Sequence, residues 1–189
     1  MLPGHWTFRN YELALGSSLT IPSIANSLFF SVMATVLHVA IGIGVAFILV
    51  RSRLPGRTLL DTCVMLPLAV PGIVIAFGYL AMTQKGQFFE FLNPVENPTV
   101  LLIVAYAMRK LPFVVRSAVA GLQQSSVTYE EAAQNLGCPP IKSALRITMP
   151  LILASLIAGA ILAFSQSMLE VSDSLMLAQK QQYYPITKA

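Results

Sequence analysis

Long apolar runs separated by short polar stretches organise this chain. Three uncharged runs stand out, at 28–50, 62–82 and 149–169. Each is about 20 residues long, and a helix of that length covers the hydrocarbon core of a bilayer, roughly 30 Å thick. A further run, 98–119, is interrupted by Arg109, Lys110 and Arg116. The pattern predicts four membrane helices, the one over 98–119 being the least regular.

The most polar long passage, "YEEAAQNLGCPPIKSALRITMP", runs from Tyr129 to Pro150 between the last two apolar runs. Thr128 is placed to cap a helix whose third following residue is Glu131, the spacing of a capping box. Residues 130–136 favour helix, and acids in the first turn suit its dipole. Gly137 is placed to end that helix, because glycine readily takes the left-handed conformation at a helix end. Pro139 and Pro140 block simple continuation, and "IKSALRITM" begins a second helix that enters the membrane at Pro150. The expected local shape is a short helix, a sharp turn and a second helix.

Composition changes the picture in one respect. Of 189 residues, 56% are hydrophobic and 11% charged, with a mean hydropathy of +0.70. A water-soluble exterior needs more charge than that, so the chain reads as an integral membrane protein. The net charge of +4 comes from basic residues beside the apolar runs and needs no nucleic acid to explain it. Cys63 and Cys138 fall in a span and in the polar passage, so they are expected to stay unpaired and to hold no metal. The opening "MLPGHWTFRNYELALGSSLT" lacks the layout of a signal peptide, and residues 1–25 read as a polar lead-in.

Charge also sets an expected topology. Arg51, Arg53 and Arg57 follow the first run within seven residues, and basic loops stay in the cytoplasm. The segment before that run is then outside. The loop 85–97 is outside as well, with Lys85 against two glutamates. The polar passage is inside with Lys142 and Arg146, and residues 179–189 are outside.

Within the second run, "MLPLAVPGIVIAFGY" carries Pro67, Pro71, Gly72 and Gly78. Prolines bend membrane helices and glycines let neighbours approach. The result is either a packed structural kink or a bent helix lining a pathway. Arg109 and Lys110 have two readings also. Either the helix ends near Met108 and the pair lies at the cytoplasmic interface, or the pair lines a pathway and favours an anionic or metal-chelate substrate. Glu170 and Asp173 read as interfacial groups at the outer end of the last run, or as a cation site. His38, alone in an apolar run, reads as a satisfied packing residue. No nucleophile–base pair, phosphate loop, metal cluster or cofactor box is visible, so the chain is expected to bind no cofactor or metal and to hydrolyse no ATP itself.

The spacing within the polar passage adds a family. Glu131, Ala132, Ala133, Gly137, Ile147, Met149 and Pro150 follow the pattern Glu-Ala-Ala, three residues, Gly, nine residues, Ile, one residue, an apolar residue and Pro. This resembles the EAA loop of permease subunits in bacterial binding-protein-dependent ABC importers. Met149 stands where leucine is usual, a volume-conserving departure. The resemblance extends to "NSLFFSVMATVLHVAIGIGVAFILVR", "MLPLAVPGIVIAFGYL", "RKLPFVVRSAVAGL" and "LIAGAILAFSQSMLEVSDSLMLA", covering roughly 25–178. Its closest flavour is that of iron(III)-type permeases and their phosphonate, thiamine and polyamine relatives.

The resemblance implies an all-α integral membrane protein, a MetI-like permease core with four of the usual five core transmembrane helices. The domain would span 26–178, with a cytoplasmic coupling loop at 120–149. Residues 179–189 would form a periplasmic segment ahead of a missing last helix. Glu130, Glu131, Ala132, Ala133, Gly137, Ile147 and Pro150 would couple the permease to a cytoplasmic ATPase subunit, both glutamates facing its groove. Arg109, Lys110, Glu170 and Asp173 are the candidate pathway-lining residues. The implied location is the bacterial inner membrane. Implied partners are the ATPase, a periplasmic or lipoprotein solute-binding protein, lipid and a second permease core, fused or separate. The implied substrate is ferric iron, a small anion or an organic solute. Two alternatives stay open: a multipass scaffold or membrane-enzyme subunit, and a proton-coupled carrier using Glu170 and Asp173.

Overall fold

A computed structural model describes residues 8–189; the first seven residues of the expected lead-in lie outside the described residues. Among the described residues the secondary structure is entirely helical. In chain order the helices are α1 (Arg9–Gly16), α2 (Thr20–Arg51), α3 (Arg57–Ala69), α4 (Gly72–Met82), α5 (Thr99–Gln124), α6 (Thr128–Asn135), α7 (Pro140–Ser143), α8 (Met149–Met168) and α9 (Ser172–Leu177). A π-turn over Ala144–Thr148 joins α7 to α8, so 140–168 forms one continuous rod.

The expected lead-in is largely helix. α2 begins at Thr20 rather than at 28 and runs for 32 residues, about 48 Å at the rise of an α-helix. Pro22 does not delay it, because the first-turn N–H groups of any helix lack intrahelical partners. The buried stripe of α2 is Ser23, Ser27, Phe30, Ser31, Ala34, His38, Gly42 and Ala46. Small residues at four-residue steps let another backbone come close, which is how helices associate in lipid. Large apolar residues such as Phe29, Val32 and Val36 point outward.

α5 occupies the centre of the bundle. α2, α3, α8 and α9 all pack against it, and both its halves are buried, from Leu101 to Leu122. Close approach is permitted at three glycines. Gly42 of α2 faces Val114, while Gly121 of α5 faces Ser155 of α8 and Gly159 of α8 faces Ser117. One apolar cluster gathers Phe30, Leu102, Tyr106 and Leu177. A second gathers Ala46, Val115, Leu122, Ile152 and Leu156.

Two expectations about spans need correction. The run 62–82 does not form one continuous helix, for it breaks into α3 and α4, bent by 105°. Pro71 is the cause. The residue before a proline is pushed out of the helical region, and Val70 is extended at φ −93°, ψ 133°. The run 98–119 does not stop near Met108, since α5 continues without a break to Gln124. Arg109 and Lys110 therefore lie inside a helix, which removes the interfacial reading of that pair. α2 and the 140–168 rod are long and apolar enough to cross a membrane, and the bent pair adds a third crossing if it counts as one.

Loops sort to the two ends of α2. At its N-terminal end, Asn26 Nδ2 donates to the carbonyls of Gln182 (2.9 Å) and Tyr184 (3.2 Å). Nearby, the Ile186 N–H donates to Ser27 Oγ at 2.8 Å. At its C-terminal end, Arg51 contacts the segment linking α5 to α6 and α6 itself.

Candidate coupling elbow and a buried charge cluster

α6 is eight residues long and has no buried residue. Isolated helices this short are marginal in water, so its ends and its polar ties decide whether it persists. The start differs from the expected capping box. Thr128 is the first helical residue rather than the cap, Val127 occupies the cap position and no side-chain cap bond forms with it. Ser126 serves instead, its Oγ accepting the Thr128 N–H at 3.3 Å and lying 2.8 Å from Thr128 Oγ1.

The end is as expected. Gly137 sits at φ +85°. The Cys138 N–H donates to Ala133 O at 3.0 Å and the Gly137 N–H to Gln134 O at 2.9 Å, the paired bonds of a Schellman motif. Pro140 then opens α7 at a position where a missing N–H costs nothing. The helix–turn–helix elbow follows from these local rules.

The two glutamates of the elbow face different ways, although both were expected to face a partner. Residues one apart on a helix point about 100° apart around its axis. Glu131 is exposed to solvent, with Ala132 exposed and Ala133 half-buried. Glu130 turns toward the bundle. Its Oε1 accepts from Arg51 Nε at 3.0 Å and from Thr148 Oγ1 at 2.8 Å. Its backbone carbonyl accepts from Ser143 Oγ at 3.4 Å. Arg51 also donates through Nη2 to Ser125 O at 3.0 Å, next to the end of α5.

Around the exposed face of the elbow stand Tyr129, Leu136, Ile141 and Leu145, all open to solvent, Leu136 at 90%. Ile147 and Pro150 line a shallow hollow with Tyr129, Arg146 and Leu151. The elbow therefore offers an acidic, small-residue helix edge flanked by bare apolar side chains.

The second constellation lies inside the bundle. Lys110 Nζ is 2.8 Å from Glu170 Oε2, Arg109 Nη1 is 3.4 Å from Glu170 Oε1, and Arg109 Nη1 is 4.0 Å from Asp173 Oδ1. Glu170 is 4% exposed and Asp173 fully buried, so both acids are enclosed by the bundle rather than open to solvent. α8 ends at Met168 and α9 starts at Ser172; this break swings both acids back onto α5. Pairing is what makes ionised groups tolerable there. Both oxygens of Asp173 and Nη1 of Arg109 nevertheless lack a hydrogen-bond partner. The break between α3 and α4 meets the same place, with Gly72 directly against the Arg109 guanidinium.

His38 is fully buried and is half-satisfied rather than satisfied: Nε2 meets Tyr106 O at 3.1 Å, and Nδ1 has no partner. Cys63 and Cys138 are free thiols. Among the described residues no three His, Cys, Asp or Glu side chains gather as a metal site. Sequence reasoning missed Arg51, Thr148 and Ser143 as partners of Glu130. In the sequence Arg51 carries only a topology signal, and no local pattern marks the other two.

The described residues thus form an all-helical bundle with one sharply bent helix pair, buried paired charges and a polar elbow. Residues 38–186 match the family described as binding-protein-dependent transport system inner membrane component, and the chain belongs to that family. It is 34% identical over 157 residues to the sulfate transport system permease protein CysT of Salmonella typhimurium, across 80% of this chain and 57% of that protein. It is 29% identical over 174 residues to the putative ferric transport system permease protein FbpB 1 of Haemophilus influenzae, across 90% of this chain and 27% of that protein. The chain thus spans little over half of the sulfate relative and about a quarter of the ferric one. The fold is shared with a solved bacterial ABC transporter involved in import of the acidic polysaccharide alginate, at a TM-score of 0.68 and 20% identity, covering 98% of this chain and 62% of that one.

Proposed function

We propose that this chain is a permease core of an ATP-driven importer. The elbow 128–150 docks on a cytoplasmic ATPase subunit, and the bundle forms half of a translocation pathway. The observation that carries this is the division of labour at α6. Glu131 and Ala132 face outward beside exposed Leu136, while Glu130 secures the helix from behind. In this reading Glu131 meets a basic groove edge, Ala132 and Ala133 allow close approach, Gly137 permits the turn, and Ile147 and Pro150 complete the contact surface. The elbow and the Arg51 end of α2 lie in the cytoplasm, in keeping with Arg51, Arg53 and Arg57, and Asn26 with the 179–189 segment lies outside.

A second core, fused or separate, faces this one across the pathway, and a solute-binding protein delivers the substrate from outside. The substrate class is a small inorganic ion. The sulfate relative supports an oxyanion, and the ferric relative supports iron as the competing reading. Arg109, Lys110, Glu170 and Asp173 border the pathway at the two helix breaks, two basic side chains against two acids. Their cations are engaged by acids of the same bundle, so in this reading selection rests with the binding protein.

The test is purification of the full chain from its native membrane in mild detergent. An ATP-binding subunit should come with it and be lost on Glu131→Lys or Gly137→Asp. Retention of the subunit by both variants rejects the docking assignment. Uptake that persists after ATP depletion under a maintained proton gradient would favour the carrier reading instead.

A further inference from the structure

The elbow has to transmit movement as well as bind, and the structure shows what it is fastened to. No residue of α6 is fully buried, so apolar packing holds it only weakly. Its attachment is polar and converges on Glu130. That carboxylate takes hydrogen bonds from Arg51 at the last residue of α2 and from Thr148 at the last residue of the π-turn. The Glu130 carbonyl takes one from Ser143 at the end of α7, and Arg51 in turn holds the Ser125 carbonyl that follows α5. Side chains of Arg51 and Glu130 are 15% and 13% exposed, so water competes weakly for the pair. Charge-assisted bonds of this kind are shorter and stronger than neutral ones.

We propose that Arg51, Glu130 and Thr148 form a clasp that transmits displacement of α6 into α2 and α8, making Glu130 a positioning residue rather than a docking one. This rests on the permease reading above. The linkers alone are poor transmitters: Ser125–Val127 is a non-helical connection, and Gly137–Pro139 is a turn around a left-handed glycine. The clasp bypasses both. Its two anchor points are rods that pack against α5 and against each other, so movement of α6 pulls on both at once. The π-turn is the natural place for this, because such turns interrupt regular helix bonding and recur at functional positions.

The test uses the complete complex in proteoliposomes, with its ATPase subunit and binding protein, and reads three quantities: ATPase subunit retained, ATP hydrolysed and substrate taken up. Glu130→Ala should keep the ATPase subunit bound while uptake per ATP falls about tenfold, the size expected from losing a charge-assisted hydrogen bond. Thr148→Val removes one hydroxyl and should give a smaller fall in the same ratio. The exchange Arg51→Glu with Glu130→Arg should recover coupling above either single change. Three results overturn the proposal: a wild-type ratio in both Glu130→Ala and Thr148→Val, loss of the ATPase subunit in Glu130→Ala as in Glu131→Lys, or an exchange no better than its singles. If Glu130→Ala fails to accumulate in the membrane, Thr148→Val decides alone. If the unaltered chain retains no ATPase subunit, it is the permease reading that falls.

Discussion

Gly72 and Arg109 touch: a Cβ built on Gly72 would occupy the space of the Arg109 guanidinium. A glycine at the α3–α4 break thus leaves the space that a charge from the central helix occupies, and a side chain there would push the guanidinium aside. Gly72→Ala should displace Arg109 from Glu170 and Asp173 and destabilise the fold by about 1–3 kcal/mol, the usual penalty of overpacking. Thermal unfolding in detergent checks it, and an unchanged Tm would show that Arg109 has another place to go.

Lys110 and Glu170 form the tightest contact of the buried cluster, at 2.8 Å with side chains 11% and 4% exposed. Removing one member of a buried pair leaves an uncompensated charge and costs about 3–5 kcal/mol, whereas replacing both by apolar groups is often nearly neutral. Lys110→Met should therefore lower stability strongly, and Lys110→Met with Glu170→Met should recover most of the loss. A double-mutant cycle from detergent unfolding measures this directly. Arg109, 3.4 Å from Glu170, would then rely on Asp173, so recovery should stop short of complete.

Gly137 differs from Gly72 in its reason. Nothing lies within 4 Å of a Cβ placed there, and the constraint is the backbone angle of +85° alone. Gly137→Ala should cost about 1–2 kcal/mol of local stability, and Gly137→Asn less, because asparagine tolerates the left-handed region. Limited proteolysis of the elbow should rank the three as Gly, then Asn, then Ala. Equal cleavage rates would contradict the strain argument.

Packing predicts a contrast along the rods. Gly159→Ala places a Cβ 2.6 Å from Ser117 Cβ and 3.3 Å from the Val114 backbone, so α5 and α8 must separate and Tm should fall. Gly44→Ala on α2 meets open space and should be neutral or stabilising by about 0.5–1 kcal/mol, since alanine favours helix over glycine. Thermal unfolding of the two variants side by side tests whether α8 is seated on α5 as described.

Much of this protein was legible before any fold. Run length and hydropathy determined a helical membrane protein, because lipid leaves the backbone no partner but itself. Local chemistry determined the elbow, where Gly137, Pro139 and Pro140 act through their own backbone limits. Pro71 announced a bend in the same way, though not one of 105°. Only tertiary structure decided which face each charge takes. Arg109 and Lys110 looked like the end of a helix, because the acids that neutralise them are some sixty positions away along the chain. Glu130 and Glu131 are neighbours of one chemical kind, yet one is held by Arg51 and Thr148 and the other faces out. Local rules act through bonds a few residues long, while electrostatic partners are chosen by distance in space, which the linear order of residues does not specify.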